Sequence, residues 1–523
     1  MKSSPARVLF AQAGAALALA VLIGGCGDNY RPVVTPIGTN GPPAQVTSYA
    51  IVVSTTGAST PGVVTIIDYS GDSIMTEAPI GPGPRVFTID EVGSTGYTIN
   101  SDGTLSNFAL VTSLQAKNVS ESTLPPTAQP VNLMSPAGGL WATDLNGDVV
   151  DLFNGSPQAF RLAIPLATQG SPATMPVFVA GAPTNGGERE YVLSQNVPDT
   201  APMTCNQSPT TAPTGVATPI ELSSDTTDPA IPVGKCPVYA VQTPDLQRLY
   251  VLNRGDDTIT VINSKNNTPD ACTPFQNQNG QWITCHPTIQ LPTGSGPIYA
   301  EYNAATQQLV VANYDGGTIS VVNVPLDEYG NDSNTYTNSN CTTYAACGAI
   351  TGGFGTVTTI KVGNTATPNP ASVTVLADGS KAYTANQNDD SGTGNGTVTV
   401  VNLDTYTVEK TITVVGHPRT IVNTQNSEFA KIYVASPDSP FITIIESSPT
   451  VTDLIDTTVL LEGTPVDIRT TTQNGSAGNN DYSSRVPGYG QPCNLSAGQL
   501  ESNYGPSYLS TLTLAECQEQ SLP

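Results

Sequence analysis

The stretch Arg248-Leu-Tyr-Val-Leu-Asn253, Gly255-Asp256-Asp257, Thr258-Ile-Thr-Val-Ile-Asn263 decides the fold. Two short runs of β-branched, aromatic and other apolar residues flank a turn of glycine and aspartate. That composition favours strands. Strand side chains alternate between two faces, so each run shows apolar residues to both sides and needs cover on both. Turns of this chemistry match the twist of paired strands. The stretch is therefore a β-hairpin that sits between two other sheets.

The hairpin recurs. Gln308-Leu-Val-Val-Ala-Asn313 passes through Asp315-Gly316-Gly317 into Thr318-Ile-Ser-Val-Val-Asn323. Lys381-Ala-Tyr-Thr-Ala-Asn386 pairs with Thr397-Val-Thr-Val-Val-Asn402, and Lys431-Ile-Tyr-Val-Ala-Ser436 with Phe441-Ile-Thr-Ile-Ile-Glu446. Fainter copies lie upstream, at 50–54 with 63–68, 96–100 with 104–108, 140–144 with 149–153 and 190–196 with 216–222. A second marker runs in phase with the hairpins. A proline, often after glycine, opens a further β-run at Pro84, Pro130, Pro176, Pro237, Pro297, Pro370, Pro418 and Pro465. Proline is tolerated at a strand's first position.

The phase carries topology. The first hairpin has no proline-led run before it, and the last such run, 465–472, has no hairpin after it. A ring in which the C-terminal strand completes the N-terminal sheet uses both leftovers and removes the open ends. The expected fold is an all-β propeller of eight four-stranded blades over residues 46–472. Seven blades is the alternative, if 176–222 is an insertion.

Tyr250-Val251-Leu252-Asn253 and Val310-Val311-Ala312-Asn313, each followed by Thr-Ile-x-Val, resemble the YVTN-type β-propeller repeat family. So do the lead-ins Gly294-Ser-Gly-Pro297 and Gly416-His-Pro418. The resemblance is strongest from 237 to 446. It implies a propeller, often an interaction module, although the family's usual count is seven blades. Lactonases and related enzymes use similar propellers.

Outside the ring the chain changes character. Lys2 and Arg7 precede an apolar run from Val8 to Ile23, and Leu22-Ile23-Gly24-Gly25-Cys26 resembles a bacterial lipobox. This order of positive end, apolar core and small residues is that of an export signal. Residues 1–25 are expected to be a removable signal and Cys26 the lipidated first residue, which anchors the protein to a bilayer. Gly27 in place of aspartate favours the outer membrane within the cell envelope, facing the periplasm or the cell surface. Residues 26–45 read as a flexible tether and 473–523 as a tail.

The chain carries 18 Lys and Arg against 42 Asp and Glu. Loss of Lys2 and Arg7 with the signal leaves 16 against 42, a net charge of −26. Such a surface repels nucleic acid and anionic lipid. With Cys26 set aside, eight cysteines remain. Cys205 and Cys236, Cys272 and Cys285, and Cys341 and Cys347 fall two to each of the three longest repeats, and Cys493 and Cys517 in the tail. Loop-closing disulfides of an oxidising compartment account for that placement. Zinc would want closer cysteine pairs joined by histidine, and the only histidines are His286 and His417. No metal and no cofactor is expected.

Candidate chemistry is sparse. Asp144-x-Asn146-Gly147-Asp148 hints at a calcium loop but fits a hairpin turn, as do Asp256-Asp257 and Asp389-Asp390. Arg254-Gly255-Asp256 spells an adhesion tripeptide within such a turn. His417 sits in a lead-in loop. Arg85 and Arg419 follow the leading prolines of blades two and eight, so they flank blade one, whose own inner strand holds Asp467 and Arg469. Ring geometry brings these four charges toward the axis, where they would hold an anionic group, unless Asp467 simply pairs with an arginine. No catalytic constellation emerges. The expected role is noncatalytic binding of a protein, glycan or peptidoglycan partner through the loop-bearing face. A lactonase-like hydrolase or lyase and a structural surface-assembly subunit are the rivals.

Overall fold

The computed structural model describes residues 49–471 and 477–478, except 91–92, 111–118, 136–138, 169, 182–188, 198–208, 244–247, 265, 271–274, 277–281, 284–286, 304–305, 325–353, 377, 391, 425–429 and 448–452. Eight antiparallel sheets form eight blades. In blade two the order outward is Pro84–Ile89, Thr95–Asn100, Thr104–Ala109, Val119–Thr123, and the other blades repeat it. Each proline-led strand touches those of the two flanking blades, and the series closes on itself. Blade one is completed by the far end of the chain. Thr464–Thr471 pairs with Tyr49–Thr55, which continues to Pro61–Asp68 and Ile74–Pro82. Blade four, the faintest in sequence, is real: Pro176–Gly181, Arg189–Ser194 and Thr214–Glu221 pair in turn. The count is eight.

Side-chain alternation builds the core between blades. Tyr49, Ile51 and Val53 pack with Phe87, Ile89 and Phe108 of blade two. Ala50 and Val52, on the opposite face, pack with Val422, Tyr433 and Ile444 of blade eight. Each fully buried large apolar side chain contributes about 1.5–3 kcal/mol.

The repeat signature has a mechanical meaning. In blades two, five, six and seven, the asparagine that ends the second strand donates to two hydroxyls of the third. Asn253 Nδ2 reaches Thr258 Oγ1 at 3.0 Å and Thr260 Oγ1 at 2.8 Å. Asn100, Asn313 and Asn386 do the same. Blade three breaks the pattern. Asp144 stands at the asparagine's position and Asp151 at that of the second hydroxyl. Asp151 is buried, with Oδ2 lacking a hydrogen-bond partner among the described residues. Burial first, and the Asp144 carboxylate second, push its pKa up to about 7.

A second device ties blade to blade. Residues of the second strand reach a left-handed residue in the outer turn of the next blade. Asp453, with φ of 47°, accepts from Tyr383 Oη at 2.6 Å and Lys381 Nζ at 2.7 Å. Lys431 meets Asp72, Tyr191 meets Asn267, and Gln308 meets Tyr406, all at left-handed residues. Burial, and then the adjacent Asp453 carboxylate, hold the Tyr383 hydroxyl far above its ordinary pKa. Removing the acceptor strands the fully buried Tyr383 hydroxyl and leaves the Lys381 ammonium with Glu409 alone. Asp453→Ala is therefore expected to destabilise the fold by about 3 kcal/mol, and Tyr383→Phe by about 1 kcal/mol. Urea denaturation checks both, and equal midpoints for Asp453→Ala and wild type would refute the latch.

The residue before the leading proline is left-handed in five blades: Gly83, Met175, Cys236, Gly296 and Asn369. At Gly296 (φ 54°) an added Cβ would lie 1.9 Å from the Asp315 carboxylate, so glycine is required there. Cys236 is fully buried and disulfide-bonded. The export signal, Cys26, the tether, Cys205, Cys272, Cys285, Cys341, Cys347, Cys493, Cys517 and His286 lie outside the described residues. Among the described residues no helix is long and apolar enough to cross a membrane.

Candidate functional site at the propeller axis

The leading prolines set what faces the axis. After seven of the eight prolines a β-bulge skips one residue, shown by register shifts at Pro84/Val86, Pro130/Asn132, Pro176/Phe178, Pro237/Tyr239, Pro297/Tyr299 and Pro370/Ser372. In the closing strand Ser54 faces Pro465 and Val53 faces Asp467, with Val466 skipped. Bulges re-aim side chains and sharpen twist. The residue two after the proline is thereby brought to the axis, and around the ring that column reads Val86, Asn132, Phe178, Tyr239, Tyr299, Ser372, Thr420, Asp467.

Seven of these eight, all but Val86, line a cavity of about 210 Å³, together with Leu133, Ala371, Arg419 and Arg469. Its two sides differ. Phe178, Tyr239 and Tyr299, from blades four to six, form a continuous aromatic wall, with ring centroids 4.6 and 4.7 Å apart. Blades eight and one supply the charges. Arg469 Nη2 donates to Asp467 Oδ2 at 2.8 Å and to the Phe87 carbonyl at 2.9 Å. Its guanidinium lies 5.8 Å from the Phe87 ring centroid. Arg469 is only 8 % exposed, yet its Nε and Nη1 have no hydrogen-bond partner among the described residues. Arg419 is exposed at the cavity, and its guanidinium makes no ion pair or hydrogen bond among the described residues.

Other polar groups near the axis are already committed. Each satisfies a free backbone group on the inner edge of a neighbouring blade. Asn132 Oδ1 accepts from Val179 N, Glu301 Oε2 accepts from Val375 N, and Ser372 Oγ donates to the Arg419 carbonyl. The cavity's own charge is one positive, from Arg419 and Arg469 against Asp467, within a chain of net charge −24. A guanidinium offers five donors in a planar fork. Leaving two of its nitrogens buried and unpaired costs about 1–3 kcal/mol each. Both nitrogens are covered in this structure, so a carboxylate would relieve that cost through a small shift of the Arg469 side chain toward the cavity.

Of the residues singled out in the sequence, Arg419, Asp467 and Arg469 meet at the cavity, and Asp467 is paired with Arg469. Arg85 does not join them. Its side chain is exposed and is not among those that line the cavity. His417 is also elsewhere. Its backbone N–H and Nδ1 engage Asp438 at 2.8 and 2.5 Å, and Nε2 lies 3.7 Å from Asp390.

The acidic turns are structural. Asp144 accepts from Gln129 N and Asn146 N, Asp148 from Met175 N, Asp257 from Gly294 N and Gly296 N, and Asp389 from Asn364 N and Thr365 N. Each pins a lead-in loop. Burial works against the Asp389 carboxylate, but these N–H donors and the Thr397 hydroxyl hold its pKa below the usual range. Arg254 of the adhesion-like tripeptide makes a bidentate pair with Asp315, and Asp256 accepts from Lys235 N.

Sequence reasoning missed the aromatic wall and Asn132. The signal was present: aligning the eight leading prolines and reading two residues on gives the axial column directly.

No family model matches the sequence, and no curated protein matches it. Solved structures are similar in fold. Dihydro-heme d1 dehydrogenase NirN, in complex with DHE, has a TM-score of 0.53 at 12% identity, over 81% of this chain and 75% of that one. AztD from Citrobacter koseri has a TM-score of 0.49 at 15% identity, over 83% and 100% of the chains. The periplasmic gluconolactonase PpgL of Pseudomonas aeruginosa has 0.45 at 14% identity, over 81% and 98%. At these identities the likeness concerns the propeller fold alone.

Proposed function

We propose that this chain is an envelope-anchored propeller of YVTN type that binds a small anionic ligand in its axial cavity. The observation that carries the reading is Arg469, buried at the cavity with two nitrogens unpartnered among the described residues, beside the uncommitted Arg419. A local positive field in an acidic protein attracts anions to that one place. The anchor through Cys26, with an oxidising location, belongs to this reading on the strength of the sequence. A protein, glycan or cell-wall partner at the loop-bearing face is compatible with it, since the axial ligand and the face are separate features.

The lactonase-like alternative has less support from the geometry. Asp467 is the one carboxylate among the cavity-lining residues described, and it is held by Arg469. Titration calorimetry with acetate, benzoate and gluconate tests the binding reading. Arg469→Lys keeps a charge beside Asp467 but loses the fork, and is expected to weaken carboxylate binding about 10- to 50-fold. Arg419→Ala, at an exposed position, is expected to cost about 3- to 10-fold and to reduce the dependence on ionic strength. Carboxylate affinities unchanged in both variants would sink the reading. Turnover of gluconolactone by the wild type, lost in Arg469→Lys, would replace it with the hydrolase.

A further inference from the structure

We infer that the ligand is a single ring bearing a carboxylate, its ring face laid on the Phe178–Tyr239–Tyr299 wall and its carboxylate held by Arg469. This inference rests on the anion-binding reading above. In an eight-membered ring, blade five stands opposite blade one. Tyr239 therefore faces Asp467 and Arg469 across the axis, and Phe178 of blade four faces Arg419 and Thr420 of blade eight. A bare anion would use only one side of such a cavity and leave the aromatic side wetted to no purpose.

The size agrees. A cavity of about 210 Å³ has room for one six-membered ring with its carboxylate. The wall is continuous, with neighbouring ring centroids 4.6 and 4.7 Å apart, and the three residues are 6–8 % exposed. Packed this closely, the rings spend their faces on one another and offer the cavity their edges, which pair edge-to-face with a flat partner and make apolar contact with a saturated one. The remaining axial positions are small or polar, so the space left by the aromatic half is displaced toward the arginines. A ring acid spans that offset, whereas acetate reaches only the arginines.

The test compares benzoate, cyclohexanecarboxylate, glucuronate and acetate on the full folded chain by calorimetry. At least one ring acid is expected to bind tenfold or more tightly than acetate. Tyr239→Leu is expected to reduce that preference to below threefold while acetate affinity stays within twofold. Phe178→Leu is expected to act in the same direction, and it is the deciding variant should Tyr239→Leu fail to fold. Preference for benzoate assigns an aromatic ring, and preference for either of the other two assigns a saturated or sugar ring. If every acid binds as acetate does, and all weaken in Arg469→Lys, the ring inference is overturned while the anion site stands. If the folded wild type binds none of them, both are overturned.

Discussion

A chain ending at Gly463 is expected to lose cooperative folding, although it retains seven complete blades and three strands of blade one. The missing strand, Thr464–Thr471, holds the ring at three places. It pairs along Tyr49–Thr55 in blade one. Thr470 Oγ1 donates to the Asn423 carbonyl of blade eight, and Arg469 to the Phe87 carbonyl of blade two. Ile468 is fully buried between blades one and eight. Each lost backbone or side-chain hydrogen bond removes about 1 kcal/mol, and exposure of Ile468 and the strand it covers adds several more. The sum is comparable with the whole stability of a domain, about 5–15 kcal/mol. Thermal melting by circular dichroism and limited proteolysis check it. A truncated chain that melts as sharply and as late as wild type would show that the ring does not need its closure. The point variant Ile468→Asp places a charge in the same seam and is expected to cost more than about 4 kcal/mol.

Asp151→Asn is expected to stabilise the protein by about 2–4 kcal/mol at pH 8 and by almost nothing at pH 4. The native pKa is about 7, raised by burial and then by Asp144, whereas an aspartate in the unfolded chain titrates near about 3.9. Below pH 4 the group is protonated in both states and has no effect. Between 4 and 7 the folded protein keeps the proton that the unfolded chain has released, so stability falls as pH rises. Above 7 both states are ionised and the penalty is constant. It amounts to about 4 kcal/mol, the free energy of holding a carboxyl roughly three pH units above its unfolded value. The amide that the substitution places beside Asp144 could donate to that carboxylate, the kind of contact that the asparagine–hydroxyl pairs make in other blades. Urea midpoints at pH 4, 6 and 8 measure the effect. A gain that is the same at all three would mean that ionisation of Asp151 is not its source. Asp72, pushed up to about 6 chiefly by burial despite its pairing with Lys431, adds a slope of the same sign.

The inner three strands of each blade were legible because they are covered on both faces, which leaves apolar runs punctuated by proline and by Asp–Gly turns. The outer strands were not. Ala159–Pro165 and Leu454–Leu460 expose most of their residues and fully bury only one each. A strand wet on both sides has no period-two signal to read. Blade four was ambiguous because an insertion separates Arg189–Ser194 from Thr214–Glu221, while its pairing register is ordinary. At the axis, Arg419, Asp467 and Arg469 could be placed together by counting around the ring, since charges are rare in this chain. Phe178, Tyr239 and Tyr299 could not be told from core residues by pattern alone, because they are largely core. Only the bulge after each proline distinguishes their position. Arg85 went the other way. Arg85 and Arg419 each follow a leading proline directly, yet of the two only Arg419 lines the cavity, and local sequence does not tell them apart.

Pairing the two ends of the chain in one blade also sets a folding clock. Tyr49 and Thr471 exchange hydrogen bonds across 422 residues. Loop-closure entropy rises only slowly with such a span, but contacts this remote in sequence form late and slow the search. As the chain emerges from its N-terminus, the Tyr49–Thr55 strand must wait, with its inner edge unpaired, until the final strand has been made. An open edge of that kind is a template for pairing with other chains. The last step of folding is therefore also the step that ends the risk of aggregation, and concentration during refolding should matter most before it.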